Sequence, residues 1–151
     1  MLIIAHRGNV NGAENALENT VSHVDAALAA AFDVEVDVWM VDGSYMLGHD
    51  SPAVVVPSAW LRQPRMWCHA KNVEALASMQ SDSIHCFWHE TDAYTVTSRN
   101  GLWCYPGNFN RSGITVVTGG PETVTVPSGG FAGVCTDHAE AWRAWAEANG
   151  A

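Results

Sequence analysis

The chain has 151 residues, of which 48% are hydrophobic, and its 7 basic and 16 acidic side chains give a formal net charge of −9. This length indicates one domain, residues 1–151, and the acidic balance argues against a nucleic-acid partner. The sequence has no basic leader and no long apolar stretch. It therefore predicts no signal peptide, no membrane span and, by default, a cytoplasmic protein.

The first predicted elements are a strand, a loop and a helix. Residues 2–6 read as an apolar strand that ends at His6. Residues 9–18 are rich in Asn, Gly and Glu, and we expect this loop to lie over the mouth of a site. Asn19 or Thr20 is a suitable N-cap for a helix that continues to about residue 32.

The second predicted strand, residues 33–40, carries two carboxylates, Glu35 and Asp37. Side chains at positions i and i+2 of a strand point to the same face, so these carboxylates converge. Valines occupy the alternate positions, so the acidic face is not simply the wet side of a surface ribbon. Converging carboxylates are what a hard divalent cation requires.

Two further predicted strands carry polar residues at their ends. Residues 41–44 read as a hairpin turn with an Asp-Gly pair, and the following strand, residues 45–49, ends at His49. Three prolines break up residues 50–65, which we predict to be loop or short helix. The strand at residues 66–71 places His69 and Lys71 on one face, and a short helix at residues 72–79 follows it.

The remaining elements are predicted to be short. They are strands at 84–90, 94–97, 102–105, 114–117 and 132–136, an extended piece between Gly119-Gly120-Pro121 and Ser128-Gly129-Gly130, and a helix to about residue 149. The spacing of the cysteines lacks a zinc-finger pattern, and we predict that they are reduced residues buried in strands, namely Cys68, Cys86, Cys104 and Cys135.

The order of the polar segments resembles the glycerophosphodiester phosphodiesterase family. The matching segments are His6-Arg7-Gly8, Glu18-Asn19-Thr20, Glu35-Val36-Asp37-Val38, Asp42-Gly43 and His49-Asp50, with weaker matches at Lys71 and Thr136-Asp137. The resemblance implies an α/β fold, a compact TIM-type (β/α)8 barrel. Such a barrel usually needs about 250 residues, so we expect a complete barrel whose outer helices are mostly shortened or missing.

The resemblance also implies an activity, the metal-dependent hydrolysis of a glycerophosphodiester or similar phosphodiester to a phosphomonoester and an alcohol. A relative that forms a cyclic phosphate belongs to the same class. By position, His6 and His49 would be the general acid and base, and Glu35 and Asp37 would bind one divalent metal ion.

The resemblance also implies roles at the phosphate. Arg7 and Lys71 would neutralise phosphate charge, and Glu18 would orient Arg7 or assist at the metal. Independently of the resemblance, His89 at the end of the strand predicted at 84–90 would contact substrate or belong to a polar loop at the mouth.

One position departs from the family pattern. The family has a carboxylate two residues before the lysine, usually the third metal ligand, and this chain has His69 there. The resemblance implies magnesium or calcium, whereas an imidazole suits manganese or zinc better. Three possibilities are open at this position: His69 binds the metal, water takes the place of the third ligand, or activity is lost. The alternative function is therefore a non-catalytic descendant that binds phosphate or a small ligand; the oligomeric state is open.

Overall fold

The structure is a computed structural model that describes residues 1–127 and 130–151. Its strands are β1 (Leu2–His6), β2 (Asp33–Val41), β3 (Ser44–Leu47), β4 (Val54–Val56), β5 (Met66–Ala70), β6 (Cys86–Phe87), β7 (Tyr94–Val96), β8 (Leu102–Cys104), β9 (Gly113–Val116) and β10 (Gly133–Thr136). Its helices are α1 (Val21–Ala29), α2 (Ser58–Leu61), α3 (Val73–Ser81) and α4 (Ala139–Asn149), with a 3-10 turn at Pro121–Thr123. Two residues of an expected turn, Ser128 and Gly129, lie outside the described residues.

The strands form one curled, mixed sheet. Seven strands are parallel in the order β6-β5-β2-β1-β10-β9-β8, and β7 pairs with β8 in the antiparallel sense. Strand β2 is long enough to pair with β1 and β5 along its first part and with β3 along its last part. Strands β3 and β4 therefore extend the sheet as an antiparallel meander.

The prediction of a complete (β/α)8 barrel is wrong. The hydrogen-bonded ladder is open between β6 and β7 among the described residues, so the sheet is a half-barrel. The backbone N–H of Ser98 donates to the carbonyl of Cys86 at 2.8 Å, so a loop occupies the edge of β6 that a neighbouring strand would use. Helices are also few, because most connections are too short to contain one.

Aromatic side chains pack across the opening of the sheet. The ring of Phe87 on β6 stacks on Trp103 of β8, with 4.4 Å between the centroids. The ring of Trp67 on β5 lies 5.9 Å from Trp103. These side chains belong to an apolar cluster inside the curl, which forms the floor beneath the polar ends of the strands.

The convex face of the sheet carries the main core. The valines of β2 that alternate with its carboxylates are fully buried and belong to the same apolar cluster as residues of α1 and α3, namely Val34, Val36 and Val38. The prediction for the cysteines is confirmed, since all four are buried and free. No helix in residues 1–127 and 130–151 is long and apolar enough to cross a membrane.

Most element positions match the sequence-based expectations, with two exceptions. A short strand, Val54–Val56, forms within residues 50–65, where we predicted loop or short helix. The strand predicted at residues 84–90 is reduced to Cys86–Phe87. Helix α1 has Thr20 as its N-cap residue, and α3 is capped by Asn72, whose side chain accepts from the N–H of Ala75.

Candidate active site

Polar residues at the carboxyl ends of the parallel strands, together with His49 after the antiparallel strand β3, surround a cavity of about 370 Å³. It is lined by eight of the residues selected from the sequence, namely His6, Arg7, Glu35, Asp37, His49, His69, Lys71 and His89. Glu18 is not part of this lining and reaches it through Arg7, whose Nη1 donates to Glu18 Oε2 at 2.9 Å. This is the end of a parallel sheet at which active sites form.

The turn after β1 places Arg7 over the strand end. Arg7 and Gly8 both have left-handed backbone angles, with φ of 54° and 89°. A Cβ atom on Gly8 would lie 2.8 Å from Cδ2 of His23, so only glycine fits at this position. Strain of this kind in consecutive residues persists where the surrounding structure requires it, often at functional sites.

Asp37 is surrounded by donors and cations. Its Oδ2 lies 3.0 Å from both Asn19 Nδ2 and His49 Nδ1 and 3.2 Å from Arg7 Nε, and its Oδ1 lies 3.1 Å from His69 Nδ1 and 3.4 Å from Lys71 Nζ. Burial disfavours the charged form, but the hydrogen bonds from the two histidines and the charge of Lys71 outweigh it. The pKa of Asp37 is therefore held well below its usual range.

Glu35 has the opposite environment. Glu35 is 3% exposed, and its Oε2 is buried without a hydrogen-bond partner. That oxygen lies 3.9 Å from His6 Nε2, and Oε1 lies 4.0 Å from His69 Nδ1. Burial and then the charge of Asp37 raise the pKa of Glu35, and the nearby cations offset this only in part.

Glu35, Asp37 and His69 form a candidate metal centre. Each offers one ligand atom, and these atoms all lie within 4.8 Å of one another. The unpartnered oxygen of Glu35 supports the fit, because a buried carboxylate oxygen without a donor is costly unless a cation meets it. Two oxygens and one imidazole nitrogen favour manganese or zinc over calcium.

His6 is oriented by a carboxylate from the last strand. Its Nδ1 lies 2.8 Å from Oδ1 of Asp137, the residue after β10, and its Nε2 faces Glu35. Burial lowers the pKa of His6, but the hydrogen bond to Asp137 and the charge of Glu35 exceed that effect, so the pKa is raised overall. The sequence marks Thr136-Asp137 as a weak family match but gives Asp137 no role in the site.

His49 follows Gly48, whose φ of 149° and close approach to the carbonyl of Ser51 exclude a side chain. Its Nδ1 donates to Asp37 Oδ2, and its Nε2 lies 3.2 Å from Nη2 of Arg7. A guanidinium has no acceptor, so Nε2 of His49 accepts and carries a lone pair in this arrangement. His6 and His49 are thus oriented by two different aspartates.

His89 forms part of an aromatic wall. Its ring stacks on His69 with 4.8 Å between the centroids, and it packs edge-to-face with the ring of Tyr105 at a centroid distance of 5.4 Å. Burial, followed by the positive charges of His69 and Lys71, lowers the pKa of His89 to about 4. The ring is therefore neutral near pH 7, and its buried Nδ1 has no hydrogen-bond partner.

Sequence reasoning missed the roles of two asparagines. Asn19 holds Asp37 in place with two hydrogen bonds: it accepts from the backbone N–H of Asp37 at 2.9 Å and donates to its carboxylate. Asn9 is fully buried between Glu18 and Asp137. Asn19 belongs to the matching segment Glu18-Asn19-Thr20, which gave it no role beside Asp37, and nothing local distinguishes Asn9 from ordinary loop residues.

No protein-family model, no curated protein and no solved structure matches this chain. The resemblance to glycerophosphodiester phosphodiesterases therefore stays a prediction that rests on the matching segments themselves.

Proposed function

We propose that the protein is a metal-dependent phosphodiesterase that hydrolyses a glycerophosphodiester or a similar small phosphodiester to a phosphomonoester and an alcohol. One observation carries the proposal. His6 and His49, each oriented by its own aspartate, border the cavity that also contains the candidate metal ligands and two permanent cations. Acid–base groups, metal ligands and phosphate-binding groups are the parts that this reaction requires.

The metal would be bound by Glu35, Asp37 and His69. When bound, it would neutralise charge on the phosphate and orient the attacking oxygen. The histidines and Lys71 around Asp37 favour its ionised form, which reduces the energetic cost of holding the carboxylates of Glu35 and Asp37 close together. His69 also stacks on His89, and its Nε2 lies 3.1 Å from the backbone carbonyl of His89, so that residue orients its ring.

Arg7 and Lys71 supply positive charge for the phosphate. Arg7 is anchored by Glu18 through Nη1, and its Nη2 contacts Nε2 of His49, which accepts in this arrangement. A guanidinium can bind two phosphate oxygens at once, whereas the ammonium of Lys71 acts as a point charge. A bound phosphate would draw Nη2 of Arg7 from His49, which frees the lone pair of that imidazole.

The hydrogen bonds suit His49 for accepting a proton and His6 for donating one. In the proposed reaction a water oxygen bonds to phosphorus while its proton passes to Nε2 of His49. The bond from phosphorus to the alcohol oxygen breaks, and His6 gives that oxygen a proton. Asp37 and Asp137 stabilise the protonated rings on which this exchange depends.

A second candidate function is binding of phosphate or a small anion without turnover. The contacts of Asp37 with Arg7, His69 and Lys71 favour it, since they balance part of the carboxylate charge without a metal. In that case the cavity would bind inorganic phosphate in the presence of a chelator, and no phosphodiester would be cleaved.

The deciding experiment is an activity screen on glycerophosphodiesters and bis(p-nitrophenyl) phosphate with Mg²⁺, Ca²⁺, Mn²⁺, Zn²⁺ or a chelator. We expect metal-dependent release of a phosphomonoester. His6→Ala and His49→Ala should each lower turnover by about 10²- to 10⁴-fold, the usual contribution of a positioned acid or base. His138→Ala, a change outside the cavity lining, is the matched control. Phosphate binding without cleavage under any metal would favour the second function.

A further inference from the structure

Asn9 lies fully buried between two carboxylates. Its single Nδ2 donates to Oε1 of Glu18 and to Oδ1 of Asp137, both at 2.9 Å. Its Oδ1 accepts from the backbone N–H of Glu14 at 3.2 Å and lies 3.1 Å from Nε2 of His23. Both amide protons of Asn9 are therefore used to join residues from opposite ends of the chain.

The hydrogen bonds continue in both directions from Asn9. On one side Asp137 contacts Nδ1 of His6 at 2.8 Å. On the other side Glu18 accepts from Arg7 at 2.9 Å, and Arg7 reaches Nε2 of His49 at 3.2 Å. A continuous series of side chains, the His6–His49 chain, thus joins the two histidines; its members are His6, Asp137, Asn9, Glu18, Arg7 and His49.

We propose that Asn9 is a positioning residue for the reaction, because it sets the acid–base histidine His6 and the pair Arg7–His49 relative to each other. This inference rests on the proposed function. Asn9 touches neither the cavity nor the reacting atoms, and it acts through the two carboxylates that it joins. An error of about 1 Å in such an arrangement can cost about 10²-fold in rate.

The chemistry of the link requires an amide. Two ionised carboxylates that approach one atom need two donors, and a primary amide nitrogen provides both. Aspartate at position 9 would match the shape of asparagine but would place a third carboxylate beside Glu18 and Asp137. Serine would provide one donor and could restore one link at most.

The experiment observes the imidazole ¹⁵N and ¹H signals of His6 and His49, which report ring tautomer and hydrogen bonding without any substrate. We expect Asn9→Ala to change the signals of both rings and to lower turnover by about 10²-fold. His23→Ala removes a neighbour of Asn9 Oδ1 but leaves both donor links in place, and it should leave both rings unchanged. Asn9→Ser should restore the signal of one ring at most.

The proposal is overturned if Asn9→Ala folds and both rings keep their wild-type signals. It is equally overturned if His23→Ala shifts both rings as much as Asn9→Ala does. Should neither variant of Asn9 fold, the wild-type protein decides. Both side-chain amide protons of Asn9 must then exchange slowly with solvent, and fast exchange of either proton refutes the link. The ring signals do not depend on turnover, so absence of hydrolysis would contradict the proposed function alone.

Discussion

Glu35 and Asp37 point to the same face of β2 but have opposite electrostatic environments. The Asp37 carboxylate contacts donors or cations through both of its oxygens, whereas Oε2 of Glu35 has no hydrogen-bond partner. The pKa of Asp37 is lowered and the pKa of Glu35 is raised. Asp37 therefore stabilises the fold in its charged form, and Glu35 is the carboxylate whose charge lacks compensation.

The first prediction compares Glu35→Gln with Asp37→Asn. In a chelator, Asp37→Asn should lower the free energy of unfolding by about 3–5 kcal/mol, because it leaves buried cations without their partner. Glu35→Gln should leave that free energy unchanged or raised, since it removes an uncompensated charge. Added divalent metal should stabilise the wild type, by about 2.7 kcal/mol at 100 times the dissociation constant, and should not stabilise Glu35→Gln. Urea unfolding measures both effects, and equal destabilisation by the two variants would contradict this prediction.

The second prediction concerns the choice of metal. Because His69 supplies an imidazole, the wild type should bind Mn²⁺ or Zn²⁺ more tightly than Mg²⁺ or Ca²⁺. His69→Asp restores an oxygen ligand with a negative charge and should shift the preference toward Mg²⁺ and Ca²⁺. Calorimetric titration with each ion tests this, with His69→Gln as a control that has no added charge. An unchanged order of affinities in His69→Asp would show that residue 69 is not a ligand.

The third prediction is a pH dependence that arises from His6 and Asp137. The folded-state pKa of His6 is raised, so its contribution to stability is fully present below the unfolded value of about 6.5 and is lost as pH rises through the folded value. Asp137→Asn removes the carboxylate that raises this pKa. The difference in unfolding free energy between wild type and Asp137→Asn should therefore shrink as pH rises above about 6.5. Both unfolding free energies are measured in a chelator. A difference between them that grows as pH rises would contradict this prediction.

The fourth prediction tests the aromatic contact across the opening of the sheet. Phe87 is 2% exposed and stacks on Trp103, so Phe87→Ala should cost about 3–5 kcal/mol of stability. Val73→Ala is the control, because Val73 is 62% exposed and its loss should cost within about 0.5 kcal/mol. Thermal unfolding, monitored by tryptophan fluorescence, measures the loss of stability in both variants. Similar costs for the two variants would show that this contact does not hold the opening together.

The sequence predicted the placement of individual side chains better than the architecture. The alternation along a strand is a local property, so it placed Glu35 with Asp37 on one face of β2 and His69 with Lys71 on one face of the strand predicted at 66–71. Closure of a barrel depends on pairing between the edge strands β6 and β7, which no local pattern encodes. Residues 84–90 look like a full strand, yet the turn containing Ser98 takes the edge of that strand.

The roles of Asp137 and Asn9 depend on distant contacts. Asp137 meets His6 across 131 residues, because β10 pairs with β1 in parallel. That pairing could not be read from either strand alone. Asn9 looked like one of several polar loop residues, and its significance follows only from the two carboxylates that the fold places beside it.

The parallel pairing of β1 with β10 also has a consequence for protein synthesis. Most of the polar site is encoded in residues 6–50, which leave the ribosome early. Asp137 follows roughly 4 to 17 s later, at about 5–20 residues per second. During that interval β1 lacks one of its two neighbours and His6 lacks its carboxylate. The nascent chain therefore exposes an incomplete, charged cleft and an open strand edge, and a chaperone or a bound anion would have its largest effect in this window.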